Sequence, residues 1–426
     1  MADPAHKAVR AAVPDVVAPP PLHPRFPLSD GLRGIAAVSV LVVHTWLLTG
    51  GFGGLEPSVP NRFVVRLDAM VAIFFMLSSF LLYRPMIAHR GGGPAAPRVA
   101  DYLRRRLLRI YPAYWLALTG LAIFPGLFGV FGGHWWAFYS LGFYLHPVAS
   151  DMGCPPAQGF LCGLPQSWTL TVEMTFYLVL PFYALLTALL ARGRDVRSWM
   201  RAELVLLACL AAMSLFMNGA PLSFRHESWF EFSFIGHFYW IAIGLAMAVL
   251  SVGYGHGRRG ALPRLLRLAA ARPGTCWTGA LAIYLVTVFG FYPAPFPAAP
   301  ISSLEYLALN LAQGAAAALL VIPIVFGDPN RGAPARVLRT PLLLWLGLVS
   351  YGLYLWQVTI QVHLGTGGAE ASFLPVLVLT LLLAIPLAAL SYYAIERPLM
   401  RLKYRPLKLG RPRLPRRFAG SFSPRR

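Results

Sequence analysis

The sequence predicts an all-α, polytopic integral membrane protein with about ten transmembrane helices and both termini in the cytoplasm. The chain of 426 residues is 57% hydrophobic and only 12% charged, and its mean hydropathy is +0.60. A soluble domain of this size has no need of so much apolar surface. In addition, 34 of the 37 Lys and Arg residues fall in segments that lie on one side of the membrane in this topology. Because basic residues concentrate in cytoplasmic loops, this asymmetry supports both the span count and the orientation.

A sliding window of about 19 residues predicts ten apolar spans in order. Their approximate limits are residues 29–49, 67–84, 110–131, 167–191, 203–219, 232–252, 276–292, 304–326, 341–362 and 373–395. A further apolar segment, Trp135 to His146, is too short to cross, and counting it would place the basic loop after residue 191 outside. Its Trp and Tyr content predicts an interfacial or re-entrant helix on the outer face.

We expect three regions along the chain. Residues 1–28 are rich in Pro and Ala and lack the apolar core of a cleavable signal peptide, which predicts a disordered cytoplasmic tail. Residues 29–398 form one transmembrane domain. Residues 399–426 are basic and rich in Pro, which predicts a second disordered cytoplasmic tail held near anionic lipid headgroups.

Charge and cysteine content exclude several classes of protein. The formal net charge of +21 is explained by membrane topology and lipid headgroups, so it gives no reason to expect a nucleic-acid partner. Four cysteines exclude a disulfide scaffold, and no Cys/His cluster predicts a metal site. Cys154 and Cys162 lie close together in a predicted outer loop, where the oxidising compartment favours a disulfide. Cys209 and Cys276 are expected to pack as apolar residues.

The first predicted span carries two residues that a lipid-facing helix should not carry, Arg33 and His44. Eleven residues at about 100° each return the chain to within roughly 20° of the same face, and they rise about 16 Å. One face therefore presents a cation near one surface and an imidazole deep in the bilayer. Because polar groups are costly there, a functional role is the default interpretation. The alternative is a histidine bonded to a neighbouring helix.

A buried carboxylate is predicted in the fourth span. Glu173 lies about six residues inside the outer end, where an unpaired carboxylate is costly, and His44 is the expected partner at similar depth. The alternative is a Glu that accepts hydrogen bonds from Ser, Thr or Trp side chains nearby.

Two arginines precede the third span. Arg106 and Arg109 are three residues apart and share a helix face, at what we expect to be the inner mouth of the bundle. Paired guanidiniums suit phosphate groups, which they bind bidentately. The alternative is ordinary anchoring by positive residues at the inner surface.

Six short stretches occur in an order that indicates a known family, and together they extend from residue 29 to residue 398. They are S-D-G-L-R-G (29–34), with Arg33 and His44 separated by ten residues, F-F-M-L-S-S-F-L (74–81), R-R-L-L-R-I-Y-P (105–112), S-W-T-L-T-V-E (167–173), L-G-L-V-S-Y-G-L-Y-L-W (346–356) and E-R-P (396–398). In these stretches the chain resembles the membrane-bound acyltransferase-3 family of bacterial O-acyltransferases, which modify polysaccharides, lipopolysaccharide, peptidoglycan and some macrolides.

The chain departs from the family pattern at several positions. The family often has Asp where this chain has Ala72, Gly where it has Ser79, and Glu-Gln where it has Met174 and Thr175. It often has His where this chain has Gln357. These departures put a second-span Asp and a ninth-span His in doubt. They also keep open a family member that acts as a scaffold without catalysis. Some relatives carry a C-terminal extracytoplasmic hydrolase-like domain, which we do not expect here.

The resemblance implies a multi-pass enzyme of the cell membrane that transfers an acyl group, acetyl above all, from cytoplasmic acyl-CoA to a hydroxyl of a glycan, glycolipid or glycosylated small molecule. Acyl-CoA is a co-substrate, and no tightly bound cofactor is expected. Arg33, Arg106 and Arg109 would bind the CoA phosphates, His44 would act as base or as acyl carrier, and Glu173 would orient His44. The alternative is a proton-coupled transporter or flippase of a glycan or lipid, in which His and Glu form a proton path.

Overall fold

The computed structural model describes residues 26–51, 59–145, 161–219, 233–254, 263–291, 302–365 and 372–402. Within these ranges ten helices are long and apolar enough to cross a membrane, and they follow the ten predicted spans in order. No strand occurs in the described ranges apart from an isolated bridge between Phe128 and Cys162. The predicted fold class, an all-α polytopic membrane protein, is therefore confirmed. Most of the two predicted tails lies outside the described residues.

Most of the spanning helices begin and end within about four residues of the predicted windows, but the helices of the third and fifth spans begin eleven and seven residues before their windows. The helices are α1 Leu28–Trp46, α2 Val59–Val65, α3 Met70–Ile87, α4 Val99–Leu121, α5 Trp135–Tyr139, α6 Trp168–Ala191, α7 Val196–Gly219, α8 Phe234–Tyr254, α9 Arg264–Ala271, α10 Pro273–Gly290, α11 Ser303–Phe326, α12 Ala333–Leu338, α13 Pro341–Gly365, α14 Phe373–Ser391 and α15 Arg397–Leu402. Single π or 3₁₀ turns extend α1 to Gly51 and join α2 to α3 and α14 to α15. The last helix therefore continues four residues beyond the predicted limit of the membrane domain.

The first span packs directly against the ninth through glycines. A Cβ atom on Gly347 of α13 would lie 1.9 Å from the backbone oxygen of Asp30, and one on Gly34 of α1 would lie 2.6 Å from Leu343 O. These distances permit only glycine, so the two backbones meet without side chains between them. In the S-D-G-L-R-G stretch, Gly34 faces α13 and Gly31 faces Leu338 at the end of α12, so the Arg33 side chain points to another face.

The chain between α4 and α6 folds back into the bundle. The carbonyl oxygens of residues 138–140, at the end of the five-residue helix α5, accept hydrogen bonds from the middle of α4: from Tyr114 Oη (2.6 Å), Trp115 Nε1 (2.9 Å) and Tyr111 Oη (3.0 Å). Carbonyls at a helix end need such donors when no water is available. The segment from Trp135 is therefore not a span, as predicted, and it packs at the depth of the middle of α4.

A buried polar cluster joins α3, α6 and α7. Glu203 is fully buried and forms an ion pair with Arg90 at 3.1 Å. It also accepts hydrogen bonds from Trp199 Nε1 at 2.7 Å and from the Tyr83 hydroxyl, and Tyr83 in turn contacts Thr187 at 2.8 Å. Such a carboxylate is tolerated in a membrane helix because donors surround it. Glu203 does not stand out in the sequence as a buried charge, because the fifth predicted span begins at this residue, whereas α7 begins seven residues earlier.

Candidate functional site

Three of the five residues predicted to act in catalysis or donor binding line one cavity of about 100 Å³. Four helices form its wall, and α6 contributes with its first turn and the residues just before it. The lining residues are Arg33, Val40 and His44 of α1, Val71, Phe74 and Phe75 of α3, Gln166, Trp168, Thr169, Leu170 and Glu173 at the start of α6, and Ser350, Tyr351 and Tyr354 of α13. Arg33 and His44 lie eleven residues apart on α1, and Glu173 lies on α6. All three side chains therefore line the same cavity.

The position of α6 explains why its first residues reach the cavity. Gln166 Nε2 donates to the backbone oxygens of Tyr354 (3.2 Å) and Leu355 (2.9 Å), which lie in the middle of α13. Thr169 Oγ1 contacts the Tyr354 hydroxyl at 2.7 Å. The fourth span therefore starts beside the middle of the ninth, and Glu173 lies one turn further along.

Glu173 bonds to a tyrosine of its own helix. The Tyr177 hydroxyl donates to Glu173 Oε2 at 2.8 Å and contacts Ser78 Oγ of α3 at 3.3 Å. The expected direct contact between Glu173 and His44 is not among the hydrogen bonds of the described residues. The alternative from the sequence, a Glu satisfied by local donors, is closer to the arrangement found, with Tyr as the donor. Glu173 and His44 line the same cavity, and each has a different hydrogen-bond partner in the described structure.

The guanidiniums of Arg33 and Arg106 flank this carboxylate. Both lie close enough to Glu173 for electrostatic attraction, and Arg106 also lies 5.9 Å from the Tyr177 ring centroid. The Nε atoms of both arginines are buried and have no hydrogen-bond partner in the described structure. A buried guanidinium nitrogen without an acceptor is costly, so this pair has unused capacity for an anion.

Arg109 lies further from the cavity. Its Nη1 atom contacts Met400 Sδ at 3.8 Å, and Glu396 of the E-R-P stretch lies within electrostatic range. The structure thus brings Arg109 beside Arg33 and Arg106, whose charges it repels, but also ties it to the last helix. Of the three predicted arginines, only Arg33 lines the cavity itself.

The residue that contacts the His44 ring is Gln357 of α13. Its Nε2 atom lies 3.2 Å from His44 Nδ1. One turn further along α13, Gln361 Nε2 donates to Leu41 O (3.0 Å) and Thr45 Oγ1 (2.8 Å). In the sequence, Gln357 stands out only as a departure from the family pattern. Gln357 and Gln361 are four residues apart in an apolar span, and this spacing indicates a polar face on the helix. In the structure that face contacts α1.

Aromatic residues close the cavity on the side of α3 and α8. Phe75 and Trp168 line it, and the His237 ring packs on both, with ring centroids 5.6 Å and 5.0 Å away. His237 Nδ1 also lies 3.2 Å from Ser233 O. This second buried histidine was missed from the sequence. It lies behind the wall and is absent from the cavity lining.

The predicted disulfide is only partly visible. Cys162 is disulfide-bonded, whereas Cys154 lies outside the described residues, so the pairing stays a prediction. Cys209 and Cys276 are free thiols; Cys276 is buried, as expected, and Cys209 is exposed on the outside of the bundle.

Sequence comparisons with known proteins identify the family of this chain. A family model described as an acyltransferase domain, acyltransferase-3, matches residues 28–393. A provisionally named peptidoglycan O-acetyltransferase of Bacillus subtilis (strain 168) is 24% identical over 88% of this chain, and the match spans 55% of that longer protein. Nodulation protein 10 of Rhizobium leguminosarum bv. viciae is 26% identical over 88% of this chain and 93% of its own length.

A third relative is a provisionally named membrane-bound transacylase of Komagataeibacter xylinus, 26% identical over 86% of this chain and 81% of its own length. No solved structure matches the chain. The family match includes α1 through α14 and every helix that lines the cavity. The chain therefore belongs to the acyltransferase-3 family, and its ten-span membrane domain is an acyltransferase domain.

Proposed function

We propose that the protein is a membrane O-acyltransferase that moves an acyl group, acetyl in the first instance, from cytoplasmic acyl-CoA to a hydroxyl of a sugar-containing acceptor. The acceptor class is a cell-surface glycan, a glycolipid or a glycosylated metabolite. Family membership and a relative named for O-acetylation of peptidoglycan support this reaction class.

The observation that carries the proposal is the shared cavity of Arg33, His44 and Glu173. Arg33 and His44 are eleven residues apart on one helix, or about 16 Å along its axis. That spacing suits a donor whose phosphates bind guanidiniums at one end of the cavity while its thioester reaches the imidazole through an extended arm. Arg106 adds a second buried guanidinium at the phosphate end. The surrounding lining of Phe74, Phe75 and Trp168 excludes water from the thioester.

The reaction requires one proton to be moved. His44 takes the proton of the acceptor hydroxyl as its oxygen attacks the thioester carbonyl, forming the new ester bond. The carbon–sulfur bond breaks, and the CoA thiolate leaves and takes the proton from the imidazolium. Donor plus alcohol thus become ester plus CoA thiol. A neutral imidazole has a lone pair on one ring nitrogen, which can accept this proton.

Purified protein in lipid nanodiscs, supplied with radiolabelled acetyl-CoA and envelope glycans or lipids of the source cell, tests the proposal. We expect CoA release that depends on an acceptor and label that is recovered in an alkali-labile ester. An absence of acceptor-dependent CoA release with every acyl-CoA tried, together with proton-coupled movement of a glycan or lipid, would establish the transporter alternative instead.

A further inference from the structure

The amide of Gln357 is positioned to determine which nitrogen of His44 carries a proton. Gln357 is fully buried, and its side chain touches His44 Nδ1 at 3.2 Å. That contact occupies Nδ1 and leaves Nε2 as the ring nitrogen that is available to the cavity. Gln357 Oε1 is buried and has no hydrogen-bond partner in the described structure.

The two orientations of this amide have opposite consequences for a base. When the amide nitrogen faces Nδ1, it donates, so the neutral ring must carry its proton on Nε2 and has no lone pair for the acceptor hydroxyl. When Oε1 faces Nδ1, it accepts from Nδ1–H, and the Nε2 lone pair is free. Only the second orientation also suits the imidazolium, in which both nitrogens donate. Exchanging the two amide positions needs only a rotation of the terminal torsion.

We propose that Gln357 is the positioning residue of His44, and that its Oε1 atom accepts from Nδ1–H when His44 takes the proton of the acceptor hydroxyl. This inference rests on the proposed function and assigns to Gln357 the orienting role that the sequence had suggested for Glu173. A neutral amide performs this role without placing a second charge deep in the bilayer, where an unpaired carboxylate is costly.

The other groups near His44 do not compete for this role. The titratable residues that line the cavity with His44 are Arg33 of α1, Glu173 of α6, and Tyr351 and Tyr354 of α13, whereas α3 contributes only apolar side chains. The two tyrosine hydroxyls donate to Ile110 O and Gln166 O. Glu173 is held by Tyr177. Gln361 lies in the same interface but bonds to Leu41 O and Thr45 Oγ1. It is therefore a matched control for the packing of a buried amide between α1 and α13.

The experiment compares Gln357→Leu, Gln357→Glu and Gln361→Leu in nanodiscs, with thermal unfolding to check that each variant is folded. We expect Gln357→Leu to slow turnover about tenfold to hundredfold, the range found when the partner that orients a metal-binding histidine is lost, with little change in the KM for donor. Gln361→Leu should stay within a few-fold of the parent. Gln357→Glu offers only acceptor oxygens, so it should retain most of the activity. The acidic limb of the pH–rate profile of Gln357→Glu should move to higher pH, because a carboxylate stabilises the protonated His44 ring.

Two results would overturn the inference. One is a Gln357→Glu protein as slow as Gln357→Leu, because the donor orientation would then be the working one. The other is Gln357→Leu with the same rate as Gln361→Leu.

A second readout separates this inference from the proposed function. In ¹⁵N spectra of histidine-labelled protein, the His44 signal is assigned by its loss in His44→Asn. We expect a neutral ring protonated on Nδ1 in the parent and a mixture of both tautomers in Gln357→Leu. A parent ring protonated on Nε2 would refute the role of Gln357 even if acyl transfer is confirmed. Failure of acyl transfer with an Nδ1-protonated ring would instead refute only the reaction.

Discussion

The Tyr177 hydroxyl holds Glu173 by a hydrogen bond of 2.8 Å from one turn further along the same helix, α6. With Arg106 placed over the Tyr177 ring and Arg33 within electrostatic range, the carboxylate belongs to the arginine end of the cavity. Its charge balances buried guanidiniums, and His44 lies elsewhere along the same cavity wall.

Glu173→Gln is therefore expected to act on charge balance. Loss of the negative charge leaves Arg33 and Arg106 less compensated, at a cost of about 1.5–3 kcal/mol as for other hydrogen-bonded charges. Thermal unfolding without donor should show the loss. Acyl-CoA brings its own negative charges, so the stabilisation that it produces should be larger in the variant than in the parent.

The control for this prediction is Tyr177→Phe, which removes the hydrogen bond but keeps the carboxylate, and should leave the donor-induced shift close to that of the parent. An equal donor-induced shift in Glu173→Gln and the parent would mean that Glu173 does not balance these arginines.

Arg106→Ala is expected to weaken donor binding. It removes a buried guanidinium that lies over the Tyr177 ring and whose Nε has no hydrogen-bond partner in the described structure. One charge-assisted contact with a phosphate contributes about 1.5–3 kcal/mol, or roughly a tenfold to hundredfold change in the Kd of acyl-CoA. Titration calorimetry in detergent measures it.

Two variants give the comparison for Arg106. Arg98→Ala removes an exposed cation immediately before α4 and should leave the donor Kd unchanged. Arg109→Ala should have a smaller effect on donor binding than Arg106→Ala, since Arg109 also contacts Met400 at the last helix. An unchanged Kd of acyl-CoA in Arg106→Ala would mean that Arg106 anchors the helix at the membrane surface and does not bind the donor.

Gly347→Ala should destabilise the fold at the contact between α1 and α13. A Cβ atom there would lie 1.9 Å from Asp30 O, so the helices must separate. Overpacking of a well-packed interior costs about 1–3 kcal/mol, and a backbone contact cannot relax by changing a rotamer. Gly274→Ala is the control, because a Cβ at Gly274 meets nothing within 4 Å. A Gly347→Ala protein that unfolds at the same temperature as Gly274→Ala would contradict the close contact.

The sequence predicts the fold and part of the site, for reasons that differ between the two. The ten spans follow from apolar length alone, because the bilayer sets that length. Arg33, His44 and Glu173 could be found because ionisable groups in spans are costly and therefore conspicuous. The side-chain contacts that these residues make could not be predicted in the same way. The fold of the chain between α4 and α6 starts α6 beside the middle of α13, which places Glu173 near the arginines and leaves His44 with Gln357. Those contacts depend on helix depth, which composition does not determine.

Orientation in the membrane is a prediction from charge. With 34 of 37 basic residues on one side, we expect both termini and the loop at residues 192–195 in the cytoplasm, and the loop with Cys154 and Cys162 outside. Single cysteines introduced into a cysteine-free variant and labelled from outside intact cells test this. Labelling of residue 194 from outside would reverse the orientation.

The most direct test of catalysis measures acyl transfer and donor binding together in His44→Ala. Loss of a positioned base slows a reaction by about 10²–10⁴, so turnover should fall at least about a hundredfold. Acyl-CoA binding depends on the arginines and should persist. His237→Phe is the control, because it replaces a buried histidine outside the cavity lining and keeps an aromatic ring against Phe75 and Trp168. It should stay within a few-fold of the parent. A folded His44→Ala protein that binds acyl-CoA and acylates at the parent rate would contradict the proposed role of His44.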